Sequence, residues 1–228
     1  MTPLLALFDV DGTLFLTDDT IAAETFVRAL RDVYGVDPPA DAVTRTDHPG
    51  QTSMRIARLV LQAEGLDDAA IDARLRVWCD RFARCYEAGL HDFDTSHWQL
   101  APGAAESLDR IAGAGIQLAL LTGNPEPVAR LRMVRLGLER FFPRDRGAFG
   151  CDGEDRLALI DLARERAGGW PADRTVEIGD TPRDVSSAHA AGIRAIALGS
   201  PGTAESADAF CDNLAEVADL LIAWNRGP

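Results

Sequence analysis

The sequence predicts an α/β protein built on a parallel β-sheet with helices on both faces. Four short apolar runs are flanked by Gly, Asp or Asn, and helical patterns separate one run from the next. Continuous apolar strands that alternate with helices are typical of parallel sheets buried on both faces. The 228 residues are 46% hydrophobic and 26% charged, which is enough apolar material for a substantial core. The four runs are 4–8, 116–121, 175–178 and 195–198.

The connection after the first strand contains an insertion. The first two apolar runs are separated by the 107 residues at positions 9–115, where a helix and two loops would suffice. Three helical patterns with 3,4 apolar spacing occur there, and they end at Gly35, Gly65 and Gly89. We therefore expect a helical cap domain over residues 17–97, carried on a core of residues 1–16 and 98–228. A fifth, weaker strand is expected between residues 141 and 149.

The charge of the chain limits its partners. There are 36 acidic residues against 23 Lys plus Arg, and the formal net charge is −13. This balance disfavours binding to nucleic acid or to an anionic membrane. All 23 of those basic residues are arginines, so chemistry that needs a lysine amine is excluded from this chain.

The cysteines and the apolar segments predict a cytoplasmic protein. No apolar run approaches the roughly 20 residues that span a bilayer, and the N-terminal sequence does not resemble a signal peptide. The cysteines are too scattered for a Cys-x-x-Cys pair, so we expect buried or incidental thiols in a reducing compartment. They are Cys79, Cys85, Cys151 and Cys211.

The strongest chemical signal follows the first apolar run, in Asp9-Val10-Asp11-Gly12-Thr13. Period-2 alternation sends Asp9 and Asp11 toward the same side, at the carboxyl edge where open parallel sheets bind ligands. Two carboxylates so close repel each other unless a cation or a shared proton lies between them. An acidic turn with Gly12 at positive φ is the plainer alternative.

Two further strand ends carry polar groups to the same edge. After the second run, Asn124 can cap a helix that starts at Pro125, and its free N–H groups would face a phosphate. After the run at 175–178, Asp180 is placed like a ligand of a hard cation, and Asp184 could hold the water shell of the ion. Asp184 is also a plausible N-cap for a helix over residues 185–191.

Taken together, these segments resemble the haloacid dehalogenase superfamily, in its phosphatase branch with a cap inserted after the first motif. The resemblance rests on Asp-x-Asp-Gly-Thr at 9–13, Thr-Gly-Asn at 122–124 and Gly-Asp-Thr-x-x-Asp at 179–184. It implies a Rossmann-like core of five parallel strands in the order 5-4-1-2-3, with a mobile lid. It also implies Mg²⁺ as the cofactor and a phosphomonoester as the substrate.

The resemblance assigns roles to the catalytic and metal-binding residues. Asp9 is expected to attack phosphorus and become an aspartyl-phosphate, while Asp11 protonates the leaving oxygen and then activates water. Mg²⁺ is expected on the Asp9 side chain, the Asp11 carbonyl and Asp180, with Asp184 behind them.

The phosphoryl oxygens are expected on residues that follow the second strand. Thr122 would bind them through its side chain, and the main-chain N–H groups near Gly123 and Asn124 would complete the site.

One motif of the superfamily departs from its usual form. The family supplies a Lys between its second and fourth motifs, and this chain has none. Arg156 lies about two dozen residues before Asp180, in the first turn of a helix that Asp152 would cap, where a cation opposes the helix dipole. We expect Arg156 to replace the Lys, with Arg144 and Arg146 as runners-up and a solvated surface arginine as the plainer alternative.

A polar segment of the cap is expected to help choose the substrate. Arg45, His48 and Gln51 lie in a turn-rich stretch just before the second cap helix. Thr52 in the same stretch is equally well explained as an N-cap, and His48 as an exposed loop residue.

The function expected from the resemblance is hydrolysis of a small phosphorylated metabolite, similar to that of phosphoglycolate phosphatase. A β-phosphoglucomutase-like phosphomutase and a catalytically idle phosphate-ligand binding protein remain open as alternatives. The oligomeric state is left open between a monomer and a homodimer.

Overall fold

The computed structural model describes residues 2–227 as a parallel sheet packed between helices. Within these residues the sheet has six strands in the order β3-β2-β1-β4-β5-β6, and all of its pairings are parallel. The strands are β1 (Leu5–Phe8), β2 (Gln117–Thr122), β3 (Ala148–Phe149), β4 (Thr175–Gly179), β5 (Arg194–Leu198) and β6 (Ala209–Cys211).

The predicted fold class is confirmed, and the strand count is corrected. Strands β1 to β5 follow the expected order 5-4-1-2-3, and the additional β6 pairs with β5 at the edge of the sheet. This strand has three residues, of which Ala209 and Phe210 are only partly buried. So short a segment carries no periodic pattern that a sequence could reveal.

Helices cover both faces of the sheet. They are α1 (Thr20–Tyr34), α2 (Ser53–Ala63), α3 (Asp68–Asp72), α4 (Leu75–His91), α5 (Ala104–Gly113), α6 (Glu126–Arg135), α7 (Arg156–Arg166), α8 (Pro182–Ala190), α9 (Pro201–Ala204) and α10 (Leu214–Asn225). Ala6 and Phe8 of β1 share a buried cluster with α5 and α10, whereas Leu5 and Leu7 share one with α7 and α8. The alternation of β1 thus anchors the centre of the sheet on both sides.

The inserted helices α1 to α4 share a third buried cluster. Phe26, Trp78 and Phe82 form its aromatic centre, with ring centroids 4.9 to 5.5 Å apart. The third predicted cap helix is in fact two helices, because α3 ends at Asp72 and Arg74 leaves the helical conformation with φ −131° and ψ 1°.

Gly89 does not end a helix, contrary to expectation. Helix α4 continues to His91, and a Cβ atom on Gly89 would lie 3.2 Å from the Ile21 side chain in α1. The missing side chain therefore serves the close packing of α1 against α4. Gly35, by contrast, follows α1 in the left-handed conformation, with φ 71°.

Two cysteines form a disulfide, so the expectation of four free thiols is wrong. Cys79 of α4 is bonded to Cys151, which follows β3 and lies 72 residues further along the chain. Folding brings their Cα atoms to 6.0 Å, and sequence spacing cannot reveal such a pairing. Cys85 and Cys211 are free and buried, as expected. Among the described residues, no helix combines the length and apolar character that a membrane span requires.

Candidate active site

The ends of three neighbouring strands bring the predicted site residues to one edge of the sheet. β1 lies between β2 and β4, so Asp9 at the end of β1 faces Thr122 at the end of β2 and Asp180 just after β4. These residues line a cavity of about 320 Å³. The cavity opens at the carboxyl ends of the parallel strands, where such folds bind ligands.

Asp9 is the most enclosed carboxylate of this cavity, with 5% of its surface exposed. Its backbone N–H donates to the Ile178 carbonyl at 3.0 Å, which continues the sheet pairing past the end of β1. Burial raises the pKa of Asp9 well above its ordinary value, and Asp184 adds to this effect while Arg156 opposes it. A cation bound close to Asp9 would therefore stabilise the ionised form of this carboxylate.

Asp11 is exposed to the cavity and is held by two donors. Asn124 Nδ2 donates to Asp11 Oδ2 at 2.5 Å, and Arg132 Nη1 donates to Oδ1 at 2.8 Å. Gly12 follows in the left-handed conformation, with φ 78°, and a Cβ atom there would overlap the Asp180 carboxyl group. The turn after β1 thus needs glycine to let Asp180 approach.

The segment after β2 differs from expectation in one detail. Pro125, not Asn124, is the residue that precedes the first turn of α6. The Asn124 side chain instead donates to Asp11 and, at 3.0 Å, to Thr122 Oγ1. Thr122 is buried, and its hydroxyl also accepts the Asn124 backbone N–H at 3.2 Å.

Asp184 is the third residue of α8 and not its N-cap. Thr181 caps the helix by accepting the Asp184 backbone N–H, and Asp184 Oδ2 accepts the Thr181 N–H at 2.9 Å and its hydroxyl at 2.7 Å. Gly179 allows this approach, since a Cβ atom there would overlap the Asp184 carboxyl group. The other oxygen, Oδ1, lies 2.6 Å from Arg156.

The acidic cluster fits a hard divalent cation. Asp9, Asp180 and Asp184 each offer a carboxylate oxygen, and these oxygens lie within 4.8 Å of one another. Burial, followed by the charge of Asp184, raises the pKa of Asp180 to about 6. Oxygen donors of this kind are those that Mg²⁺ prefers, and a cation would relieve their mutual repulsion.

Arg156 lies beneath the cavity as the first residue of α7. It is 6% exposed, and its Nη2 lies 2.6 Å from Asp184 Oδ1 and 3.6 Å from Asp9 Oδ1. Burial alone would lower its pKa, but the surrounding carboxylates hold it above the usual arginine value. Asp155 caps α7, not Asp152 as expected.

The remaining arginines that sequence analysis considered lie elsewhere. Arg144 is exposed, and Arg146 contacts Gln117 and Asp145 at the opposite end of β2. Asp152, once expected as a cap, forms a two-pronged ion pair with Arg166 at 2.7 and 2.8 Å.

The loop before α2 covers the cavity. His48 and Gln51 line it, whereas Arg45 pairs with Asp41 at 2.9 Å beside a separate cavity along helix α2. Thr52 caps α2, and the Ser53 N–H donates to the Gly123 carbonyl at 2.7 Å. A Cβ atom on Gly123 would overlap the Gln51 carbonyl, so glycine there lets this loop approach the strand ends.

Arg132 of α6 is a site residue that sequence analysis missed. It is 2% exposed and bridges Asp11, at 2.8 Å, to Asp19, at 3.0 Å. Its guanidinium also lies 5.8 Å from the centre of the Tyr86 ring in α4. The sequence of α6 did contain a signal for this. Its arginines are spread around the helix, so that no face is purely apolar and some arginines must be buried when the helix packs.

Comparisons with known proteins agree with this geometry. The model of the haloacid dehalogenase-like hydrolase family matches residues 4–192. Phosphoglycolate phosphatase from Pseudomonas syringae pv. syringae is 30% identical over 204 residues, which cover 86% of this chain and 69% of that protein.

Solved structures share the fold at low sequence identity. A variant of CbbY from Rhodobacter sphaeroides, in complex with xylulose-(1,5)bisphosphate, superposes with a TM-score of 0.66 at 22% identity, covering 94% of this chain and 96% of that one. β-Phosphoglucomutase from Clostridium difficile gives 0.69 at 13% identity, covering 97% and 98%. The motifs, the fold and the extent of these matches agree, and the chain therefore belongs to the haloacid dehalogenase-like hydrolase family, as an enzyme of its phosphatase branch.

Proposed function

We propose that this enzyme is a Mg²⁺-dependent phosphomonoester hydrolase that acts on a small phosphorylated metabolite through an aspartyl-phosphate on Asp9. The observation that carries the proposal is the position of Asp9. Asp9 lines the cavity and is buried, it belongs to the acidic cluster with Asp180 and Asp184, and Arg156 lies 3.6 Å away. A nucleophilic carboxylate needs this combination, because both it and the incoming phosphoryl group are negative.

Two carboxylates divide the chemistry between them. Asp9 attacks phosphorus, and the bond between phosphorus and the leaving oxygen breaks while Asp11 gives that oxygen a proton. Asp11 then takes a proton from water, which attacks the aspartyl-phosphate and releases inorganic phosphate and free Asp9. Asp11 suits this double task because it is exposed to the cavity and its two oxygens are oriented by Asn124 and Arg132.

The phosphoryl oxygens have neutral and charged donors around them. Thr122 and Gly123 line the cavity at the end of β2, and Arg156 lines it beside Asp9. We expect the Thr122 hydroxyl and the Gly123 N–H to donate to the phosphoryl oxygens there. Asp9, Asp180 and the Asp11 carbonyl would hold Mg²⁺, with Asp184 binding its water. When bound, the ion neutralises charge on the transferring group.

The cavity supports a small substrate. Its volume of about 320 Å³ lies at the lower end of the range for ligand sites, and His48 and Gln51 face it from the covering loop. Phosphoglycolate and similar small phosphomonoesters are the substrates we expect first, because the phosphoglycolate phosphatases are relatives of this chain.

A panel of phosphorylated metabolites tests the proposal. We expect release of inorganic phosphate from at least one small phosphomonoester, with p-nitrophenyl phosphate as a general probe. Phosphoryl transfer between two positions of a sugar without phosphate release would instead establish a phosphomutase. Ligand binding without either reaction would establish the idle binding protein.

Metal removal is expected to abolish the activity. EDTA should stop phosphate release, and Mg²⁺ should restore it, because the acidic cluster cannot bind a phosphate dianion without a cation. Ca²⁺ should restore it poorly, since its larger and looser coordination shell disturbs the in-line geometry. Phosphate release is measured after gel filtration into metal-free buffer. Full activity under those conditions would contradict the metal assignment.

Replacing Arg132 by Met is expected to lower kcat/KM about 10- to 100-fold. Methionine keeps a flexible, unbranched stem, although a shorter one, and removes the charged donor that orients Asp11; a charge-assisted hydrogen bond contributes about 1.5 to 3 kcal/mol. Arg135→Met is the matched control, because Arg135 lies on the same helix and, within residues 2–227, donates only to the Leu90 carbonyl. Equal losses in the two variants would refute a special role for Arg132.

A further inference from the structure

A buried carboxylate beneath the cavity has no part in the mechanism described above. Glu177 is the middle residue of β4 and is 1% exposed. It is paired in register with Leu7 of β1 and Ala195 of β5, on the apolar face of the sheet that α7 and α8 cover. Burial raises the pKa of Glu177 to about 8, and Asp184 adds to this while Arg156 opposes it. An apolar residue would fit this face without that penalty.

Glu177 contacts Arg156 along one edge of the guanidinium group. Its Oε1 accepts Arg156 Nε at 3.1 Å and Nη2 at 3.0 Å, while Oε2 has no partner among the described residues. The two bonds converge on one oxygen and hold this edge of the guanidinium group against Glu177.

The position of this edge determines which further groups Nη2 and Nη1 of Arg156 reach. Nη2 is shared with Asp184, at 2.6 Å, and faces Asp9, at 3.6 Å. Nη1 lies on the opposite edge and points toward the covering loop, where the Gly50 carbonyl lies 3.4 Å away. Arg156 therefore meets the two carboxylates with Nη2 and the covering loop with Nη1, and Glu177 holds the edge that carries Nη2.

We infer that Glu177 is the positioning residue that lets an arginine serve beneath Asp9, by holding the Nε–Nη2 edge so that Nη2 stays beside Asp9 and Asp184. This inference rests on the proposed function. A lysine at position 156 has a single nitrogen, which can serve Asp9 and Asp184 but would leave Glu177 without a partner. The arginine and the buried glutamate thus form one functional pair.

The test compares Glu177→Leu, Glu177→Gln, Arg156→Lys and the double variant Arg156→Lys/Glu177→Leu. Glu177→Leu is expected to lower kcat about 10- to 100-fold and to change KM by less than about threefold. The substrate still binds, but its phosphoryl group is poorly aligned with Asp9. Glu177→Gln keeps an oxygen acceptor of the same shape and should retain most of the activity. The double variant should be at least about tenfold more active than Arg156→Lys. Its single ammonium group then pairs with Asp9 and Asp184 alone, because the third carboxylate, that of Glu177, has been removed.

Folding and the proposed function are checked separately. Glu126→Gln is the matched control, since Glu126 pairs at 3.2 Å with Arg130, another buried arginine that lies outside the cavity. A role in stability alone would lower Tm and leave kcat of the folded protein unchanged, with no rescue in the double variant, and that result would overturn the inference. If the wild-type enzyme hydrolyses no phosphomonoester, the proposed function fails. Titration with orthovanadate, which mimics the phosphoryl group in the transition state, then decides: at least tenfold weaker vanadate binding is expected for Glu177→Leu than for the wild type, and equal binding would overturn the inference.

Discussion

Replacing Asp9 by Asn is expected to abolish turnover while the protein stays folded. The amide cannot attack phosphorus, and the nearby carboxylates do not replace Asp9 as the nucleophile, because Asp11 transfers protons and Asp180 binds the metal ion. Burial favours the neutral form of Asp9, as its raised pKa shows, so a neutral amide of the same shape should be well tolerated. Steady-state kinetics and thermal unfolding measure the two halves of this expectation.

Beryllium fluoride provides a direct control, because it mimics a phosphoryl group bonded to a carboxylate. Its adduct should form on Asp9 in the wild-type enzyme and should not form in Asp9→Asn. Asp152→Asn, which breaks a surface ion pair with Arg166, should keep full activity. An adduct on another residue, or normal turnover in Asp9→Asn, would show that the nucleophile lies elsewhere.

Replacing Arg156 by Ala is expected to lower kcat/KM about two to three orders of magnitude. A positive group that offsets carboxylate and phosphoryl charge in a buried site contributes a few kcal/mol to the transition state, and ~1.4 kcal/mol is a factor of ten in rate. The variant should also be less stable, since Asp184 and Glu177 lose the partner that compensates their burial. Thermal unfolding must therefore accompany the kinetics, with Mg²⁺ present in both measurements.

Arg144→Ala and Arg146→Ala are the controls for this prediction, and both should cost little activity. Neither residue lines the cavity. Arg156→Lys should retain more activity than Arg156→Ala, because it keeps the charge beneath Asp9. Near-normal turnover in Arg156→Ala, together with a loss in either control, would show that another arginine supplies the charge.

Much of this architecture could be predicted because it depends on local patterns. Apolar strands, helix periods and the carboxylates after β1 and β4 are visible in the sequence, and the edge of the sheet that they share follows from parallel topology. The first five strands lie in the predicted order. The helix caps were less predictable, because Asp152 and Asp155 are equally good residues for starting a helix and only the folded loop selects Asp155.

The residues that escaped prediction are those whose meaning depends on distant partners. In the sequence, Arg132 is one of several arginines in α6. Only its ion pairs with Asp11 and Asp19 in the folded protein distinguish it from the others. Glu177 interrupts an apolar strand, which was a visible signal, but its partner Arg156 lies 21 residues away. Such buried charges are placed by tertiary structure, and local propensity says nothing about them.

The disulfide between α4 and the loop after β3 also has a thermodynamic consequence. In the unfolded chain the Cys79–Cys151 bond closes a loop across 72 positions, which removes conformational freedom that folding would otherwise have to remove. The chain-entropy description assigns about 4 kcal/mol to a loop of this length, a large share of the net stability of an ordinary domain. Every noncovalent contact described above can persist after reduction, yet the reduced protein should unfold at a lower temperature. The stability of this enzyme is therefore set partly by the thiol–disulfide balance of its surroundings, independently of its catalytic residues.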